Sequence, residues 1–309
     1  MQRYLCTRCN KSFSEPHPLD GLRLDEAKIV QIVRCLTEGC GVRATARLTG
    51  CDKNTVLEVL RVIGQKCETF HDKTVRNVTV ESLQVDELWA RVFSREDRRK
   101  ASNQFRGDFY TFIGIDRRSK LIISHLTEKR TYEATDRFAA DLASRVPGNM
   151  QITSDGWSPY VPTIRKHFLG RLNFAVMQKI YGTINGKDNF DPLEAWLRLD
   201  PVRRYSPPRC TGIKLRIANG EPDVDKICTS HIERLNLSVR TFNRRFTRLC
   251  LGYSKKLDNH RYSVALFVVA HNFCKVHSAL GTTPAVRAKL TNHVWSIEEL
   301  VKTLSSDTI

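Results

Sequence analysis

Asp86, Asp155 and Glu233 stand in settings suited to metal-assisted phosphoryl transfer. Asp86 lies in the apolar, strand-like run Leu-Gln-Val-Asp-Glu-Leu-Trp. Asp155 closes Met-Gln-Ile-Thr-Ser-Asp and is followed at once by Gly156, while Glu233 opens the helical stretch His-Ile-Glu-Arg-Leu-Asn-Leu-Ser-Val-Arg. Two divalent cations held by such acids can activate an attacking oxygen and stabilise the leaving oxygen of a phosphodiester. Hard cations such as Mg²⁺ prefer carboxylate oxygens. Asp86 is expected to bridge the two ions, Asp155 to hold one and Glu233 the other. Asn236 and Arg240 follow Glu233 at i+3 and i+7, so the three share a helix face, with Arg240 placed for a phosphate. Ile232, Leu235, Val239, Phe242 and Phe246 fall on the buried side. By spacing alone Glu87, Asp97, Asp116 and Asp136 compete with the three, although Asp116 sits at a hairpin turn, where Asp is common for structural reasons.

The rest of the chain must position these acids and bring them a substrate. Its 309 residues allow one large domain and one or two small ones. A net charge of +17, from 50 Lys and Arg against 33 Asp and Glu, attracts polyanions and makes binding salt-dependent. That balance points to nucleic acid rather than to a generic basic protein. No apolar run is long enough to span a bilayer, and Met1 leads into Gln-Arg-Tyr-Leu-Cys without a signal-peptide core. The expectation is a soluble, intracellular chain with no membrane partner. Of ten cysteines only Cys6 and Cys9 form a tight pair. The others read as reduced, buried side chains rather than a disulfide framework.

Three regions follow from periodicity. In residues 1–20, Cys6-Thr-Arg-Cys9 before Phe13 has the form of a zinc knuckle, supplying two of the four ligands tetrahedral zinc needs. Residues 21–72 read as a helix-turn-helix: stripes at Ile29, Ile32, Val33, Leu36 and at Val56, Val59, Leu60, Ile63 flank a short helix and a Gly-containing turn. Asp52 is placed to cap the last helix, which would present Lys53, Asn54, Thr55 and Arg61 to DNA. Residues 80–290 read as an α/β catalytic domain. Strands are expected at 82–93, 108–116, 120–126 and 150–155, with a hairpin at Arg117-Arg-Ser119, helices at 132–145 and from Ser158-Pro159 to His167, and a strand at 172–180. Three strands, helix, strand, helix, strand is the order of a ribonuclease-H-like (retroviral-integrase-like) sheet. Residues 181–227 read as an insertion or long loop, with a short helix at 191–198. Two helices are expected from Thr229 to about Cys250 and from Asp258 to His277, then a tail over 291–309. His271, Cys274 and His277 read as packing residues of a core helix rather than metal ligands.

The chain resembles the DDE transposases of bacterial insertion sequences, specifically the insertion-sequence-one family, over nearly its whole length. Arg3 to Phe13 looks like the second half of that family's zinc ribbon, and residues 24–70 like its helix-turn-helix. Gln84-Val-Asp-Glu-Leu-Trp89, Ile115 to Lys120 and Thr153-Ser-Asp-Gly-Trp-Ser-Pro-Tyr160 look like its catalytic core. The most specific block begins at Thr229-Ser-His-Ile-Glu-Arg-Leu-Asn236. It continues through Arg245-Phe-Thr-Arg248, Gly252-Tyr-Ser-Lys-Lys256 and His271 to His277, and ends at Thr283-Pro-Ala285. The resemblance implies that Asp86, Asp155 and Glu233 form the DDE triad with two Mg²⁺ or Mn²⁺ ions, and that Arg240 is the basic residue seven positions after its Glu. It further implies binding of terminal inverted repeats, strand cleavage and transfer to target DNA, a homodimer or higher assembly on DNA, and a bacterial, nucleoid-associated location. The chain departs from the family in lacking the first zinc-ligand pair, so Zn²⁺ at Cys6 and Cys9 would be incompletely ligated. It also has a longer interval between Asp155 and Glu233. The rival expectations are a nuclease without strand transfer and a decayed, DNA-binding repressor.

Overall fold

The computed structural model describes residues 3–14, 19, 22–98, 103–182, 209–248 and 250–306. Strands β1 (Arg3–Leu5) and β2 (Ser12–Ser14) form a small antiparallel hairpin that carries the Cys6–Cys9 turn. Three helices follow: α1 (Glu26–Thr37), α2 (Val42–Thr49) and α3 (Lys53–Thr74). Side-chain caps fix two of their starts, since Asp25 accepts from the Lys28 N–H and Asp52 from the Asn54 N–H. Both expected apolar stripes are inside: Ile32, Val33, Val56, Val59 and Ile63 are fully buried.

The main sheet has six strands in the order β5-β4-β3-β6-β7-β8. Strands β3 (Ser82–Val92), β4 (Gly107–Asp116) and β5 (Ile122–Glu128) are antiparallel neighbours. On the other side β6 (Met150–Ser154) and β7 (Leu172–Gly182) run parallel to β3, reached through helices α4 (Tyr132–Arg145) and α5 (Tyr160–His167). The β4–β5 turn forms as expected, with the Asp116 carboxylate accepting from both the backbone N–H and the hydroxyl of Ser119.

Helices cover both faces. One carries α6 (Ser230–Phe242) and α7 (Leu257–Val269), whose Ile232, Leu235, Val239, Val264 and Val268 pack on Leu88, Ala90, Ile113 and Ile115. The other carries α4 and α5, and its core is continuous with that of α1 and α3. At the crossing of α3 and α7, Gly64 permits the approach: a Cβ there would stand 2.4 Å from Tyr262 Cβ.

Four expectations change. The 181–227 segment is not all loop: Tyr181 and Gly182 extend β7, and β8 (Arg209–Asn219) pairs antiparallel with it. The short helix expected at 191–198 lies outside the described residues. Helix α6 ends at Phe242, not near Cys250, because Asn243 leaves helical geometry and its side chain caps the 3₁₀ turn Arg244–Phe246. Helix α7 passes into a π-turn, Ala270–Cys274, and stops before His277. The last segment, expected as a tail, carries a helix, Ile297–Ser305, which buries Leu300, Val301 and Leu304. Among the described residues no helix is long and apolar enough to cross a membrane.

Candidate active site

Register brings the first two acids together. Parallel pairing aligns Val85 of β3 with Ser154 of β6, so Asp86 and Asp155 stand abreast one step further on. Neighbouring strands are about 4.8 Å apart, a span a metal ion can bridge. Burial together with the Asp155 charge pushes Asp86 up to about 7. Its Oδ1 accepts from the Glu87 N–H and its Oδ2 from Asn236 Nδ2 at 2.7 Å. Asn236 Oδ1, also buried, has no partner. Asp155 Oδ1 accepts from the Trp157 N–H, an Asx turn that fixes the carboxylate at the strand end.

Glu233 arrives from the other direction, and a residue that sequence reasoning passed over places it. The buried Gln84 side chain accepts at Oε1 from the His231 N–H (3.0 Å) and the Ile232 N–H (2.9 Å). Two free donors at the start of α6 are thereby tied to β3, two residues before Asp86. Glu233, in that first turn, lines one cavity with Asp86, Asp155, Asn236 and Arg240. Its carboxylate accepts from Lys179 Nζ at 2.5 Å on both oxygens and from Thr229 Oγ1 at 2.7 Å. Burial is the first cause holding Arg240 below its usual value, followed by Arg248, while the Asp86 charge works against both.

The tightest carboxylate group is Asp86, Glu87 and Asp155, which each offer an oxygen within 4.8 Å of the others. Strand alternation sends Glu87 to the opposite sheet face from Asp86. There it accepts from the Tyr160 hydroxyl at 2.9 Å and pairs with Arg130. Burial and the Asp155 charge raise it to about 8. Arg130 lies over the Trp157 ring and lines the same cavity as Asp155. Glu87 competes by spacing in the sequence; its partner Arg130, like Lys179 beside Glu233, carries no sequence signal, because each becomes relevant only through pairing.

The other sequence-predicted residues lie apart from this cavity. Lys53 and Asn54 are exposed at the start of α3, and Thr55 is part-buried. The Arg61 guanidinium is paired along its own helix with Glu58 and Gln65. Cys6 and Cys9 sit on the hairpin turn, where a backbone hydrogen bond at Arg8 and then the Cys9 side chain hold the Cys6 thiol below its ordinary value. No third ligand joins them among the described residues. His271 is buried with Nε2 3.2 Å from the Lys120 carbonyl.

No protein-family profile matches the sequence, and no curated protein matches it. Among solved structures, the chain is similar to piggyBac transposase in a synaptic complex with hairpin DNA. The two share 11% identity and a TM-score of 0.43, over 91% of this chain and 70% of that one. It is also similar to Mos1 transposase in a paired-end complex with the left transposon end. That match has 12% identity and a TM-score of 0.21, over 51% of this chain and 58% of that one.

Proposed function

We propose that the chain is a DDE-type transposase of the insertion-sequence kind, with a ribonuclease-H-like catalytic unit. The observation that carries the reading is the parallel register that sets Asp86 beside Asp155, with Glu233 held on the same cavity by the Gln84 anchor. The donor set fits hard divalent cations: carboxylate oxygens, one of them buried against a like charge, and an unpartnered amide oxygen on Asn236. Asp86, Asp155 and Glu233 would hold two Mg²⁺ or Mn²⁺ ions, which when bound supply Lewis-acid activation of the attacking oxygen and neutralise the phosphate.

The chain's own groups account for the rest. Asn236 donates to Asp86 Oδ2 and the Glu87 N–H to its Oδ1, and the two bonds together fix the carboxylate's orientation. Arg240, Arg130 and Lys179 line the cavity as cations for the phosphodiester on either side of the scissile bond. Lys179 and Glu233 neutralise each other until a substrate phosphate takes the lysine. In cleavage water attacks the phosphodiester and the 3′-oxygen leaves as a hydroxyl; in transfer that hydroxyl attacks a target phosphodiester and the target strand's own 3′-oxygen leaves. Lys53, Asn54, Thr55 and Arg61 of the helix-turn-helix would contact the terminal inverted repeats, and Cys6 and Cys9 would contribute half of a zinc site. Two ends require two chains, so a dimer or larger assembly on DNA is part of the proposal.

One observation favours a second assignment of the third acid, since Glu87 rather than Glu233 completes the closest carboxylate group. Glu233 is favoured because it lines the cavity that Asp86 and Asp155 share, whereas Glu87 lies on the reverse face of β3 with Arg130 and Tyr160. A cleavage and strand-transfer assay with the element's own ends and Mn²⁺ decides. Asp86→Asn, Asp155→Asn and Glu233→Gln should each lower cleavage at least 10³-fold, while Glu87→Gln keeps a measurable rate. Full activity in all three triad variants sinks the proposal. Loss with Glu87→Gln but not Glu233→Gln moves the third ligand to Glu87. Cleavage without joining identifies a nuclease.

A further inference from the structure

Away from the carboxylates, a second groove runs between the helical unit and the segment that follows α6. One wall carries Arg43 of α2 and Lys53 at the start of α3, and the other carries Arg244, Arg245 and Lys255. No Asp or Glu lines it among the described residues. Arg43, Lys53, Arg244 and Lys255 are exposed and form no ion pair among the described residues. The far wall is held rigidly, since Ser254 bridges to Val92 at the end of β3 and its carbonyl accepts from the Phe93 N–H. Tyr253, next to Ser254, is flanked by the cations of Arg91 and Lys255 at 4.7 and 3.6 Å from its ring centre.

Arg245 makes this groove more than a solvated basic face. Its Nη1 donates to Ser254 Oγ at 3.0 Å, but Nη2 is shielded from solvent without a partner. The same hydroxyl lies 2.9 Å from His260 Nδ1, so the environment supplies a neutral contact and no carboxylate. Burial lowers the Arg245 guanidinium to about 10. A shielded guanidinium without an anion is costly, and such a group calls for an explanation. An anion delivered into the groove supplies one. The five cations come from four separate chain segments rather than converging on one point, which suits a row of phosphates better than a single small anion.

We infer that this groove holds the phosphodiester backbone of a DNA duplex, so that the helix-turn-helix and the catalytic unit grip one duplex from two sides. The inference rests on the transposase reading above and adds Arg43, Arg244, Arg245 and Lys255 to the DNA contacts. These residues position the duplex by its backbone and read no sequence.

The test is the salt dependence of binding of a fluorescently labelled duplex to the full chain, followed by anisotropy. The variant Arg244→Gln/Lys255→Gln alters two exposed side chains. It should lower the slope of log K against log salt by about two and weaken binding roughly 50-fold at 0.1 M salt, since each lost phosphate contact removes about one power of the salt concentration. The change should be equal for end-containing and unrelated duplexes. Arg245→Met should lower the slope by about one with no fall in melting temperature, because it removes a shielded charge. An unchanged slope in the double variant, with wild-type binding intact, overturns the groove assignment alone. A melting-temperature drop in Arg245→Met with an unchanged slope makes that residue structural and overturns its part. Failure of the wild-type chain to bind any duplex overturns the transposase reading with it.

Discussion

At the scale of single residues, the site is built on charge placed where it is costly. Asp86 is raised to about 7 and Glu87 to about 8, both first by burial and then by the charge of Asp155. What limits the cost is specific: Asn236 donates to one, Arg130 and Tyr160 to the other. Asn236→Asp exchanges the donor beside Asp86 Oδ2 for another carboxylate. The metal-free variant should lose about 1–3 kcal/mol of stability, and Mn²⁺ should restore more stability to it than to wild type. Thermal melts with and without Mn²⁺ check this, and identical behaviour of the two proteins would show that Asn236 does not set the state of Asp86.

At the scale of elements, one buried amide decides where Glu233 stands. Gln84 faces the same side of β3 as Asp86 and ties down the first turn of α6. Gln84→Met keeps the volume but leaves the N–H groups of His231 and Ile232 unpaired. That should cost about 2 kcal/mol. A shift of α6 of even about 1 Å should slow cleavage by up to 10²-fold. Urea unfolding and single-turnover cleavage measure the two effects separately. Lost stability with an unchanged rate would make Gln84 a packing residue only. The sequence of elements from α1 to β7 and most helix starts were legible in the sequence, because alternation, periodicity and caps such as Thr131 and Asp52 are local signals. Helix ends near Phe242 and Cys274 were not, since a capping Asn and a π-turn end them inside continuous apolar patterns.

At the scale of the whole molecule, one core joins α1 and α3 to the sheet, and buried histidines give the fold a pH response. Burial lowers His125 to about 4, His260 to about 3 and His271 to about 4. These side chains stay neutral in the fold, whereas an unfolded His takes up a proton near 6.5. Below that pH the unfolded state binds more protons, so their contribution falls as pH drops from about 6.5 towards 4. Asp86 and Glu87 act in the opposite sense, as the folded state keeps their protons there, so the useful quantity is a difference. His260→Gln should lower the slope of stability against pH by about 1.4 kcal/mol per pH unit between pH 4.5 and 6, read from urea unfolding at a series of pH values. Equal slopes in the two proteins would mean that His260 is protonated in the fold.

The sequence by itself determined most of the elements up to β7, the basic character and which acids stand as candidates. Hydrophobic period and residue type are properties of short stretches, and net charge is a sum over the chain. The Glu233, Asn236 and Arg240 face needed only helical spacing. Only the tertiary structure decided that Asp86 and Asp155 stand abreast, that Glu87 joins them from the reverse face, and that Lys179 occupies Glu233. It also set Lys53 across a groove from Arg245. Each of these depends on which strands pair, in which register, and on which helices close over them. Such choices are made between segments far apart in the chain, by the burial of a shared core, and no local pattern encodes them.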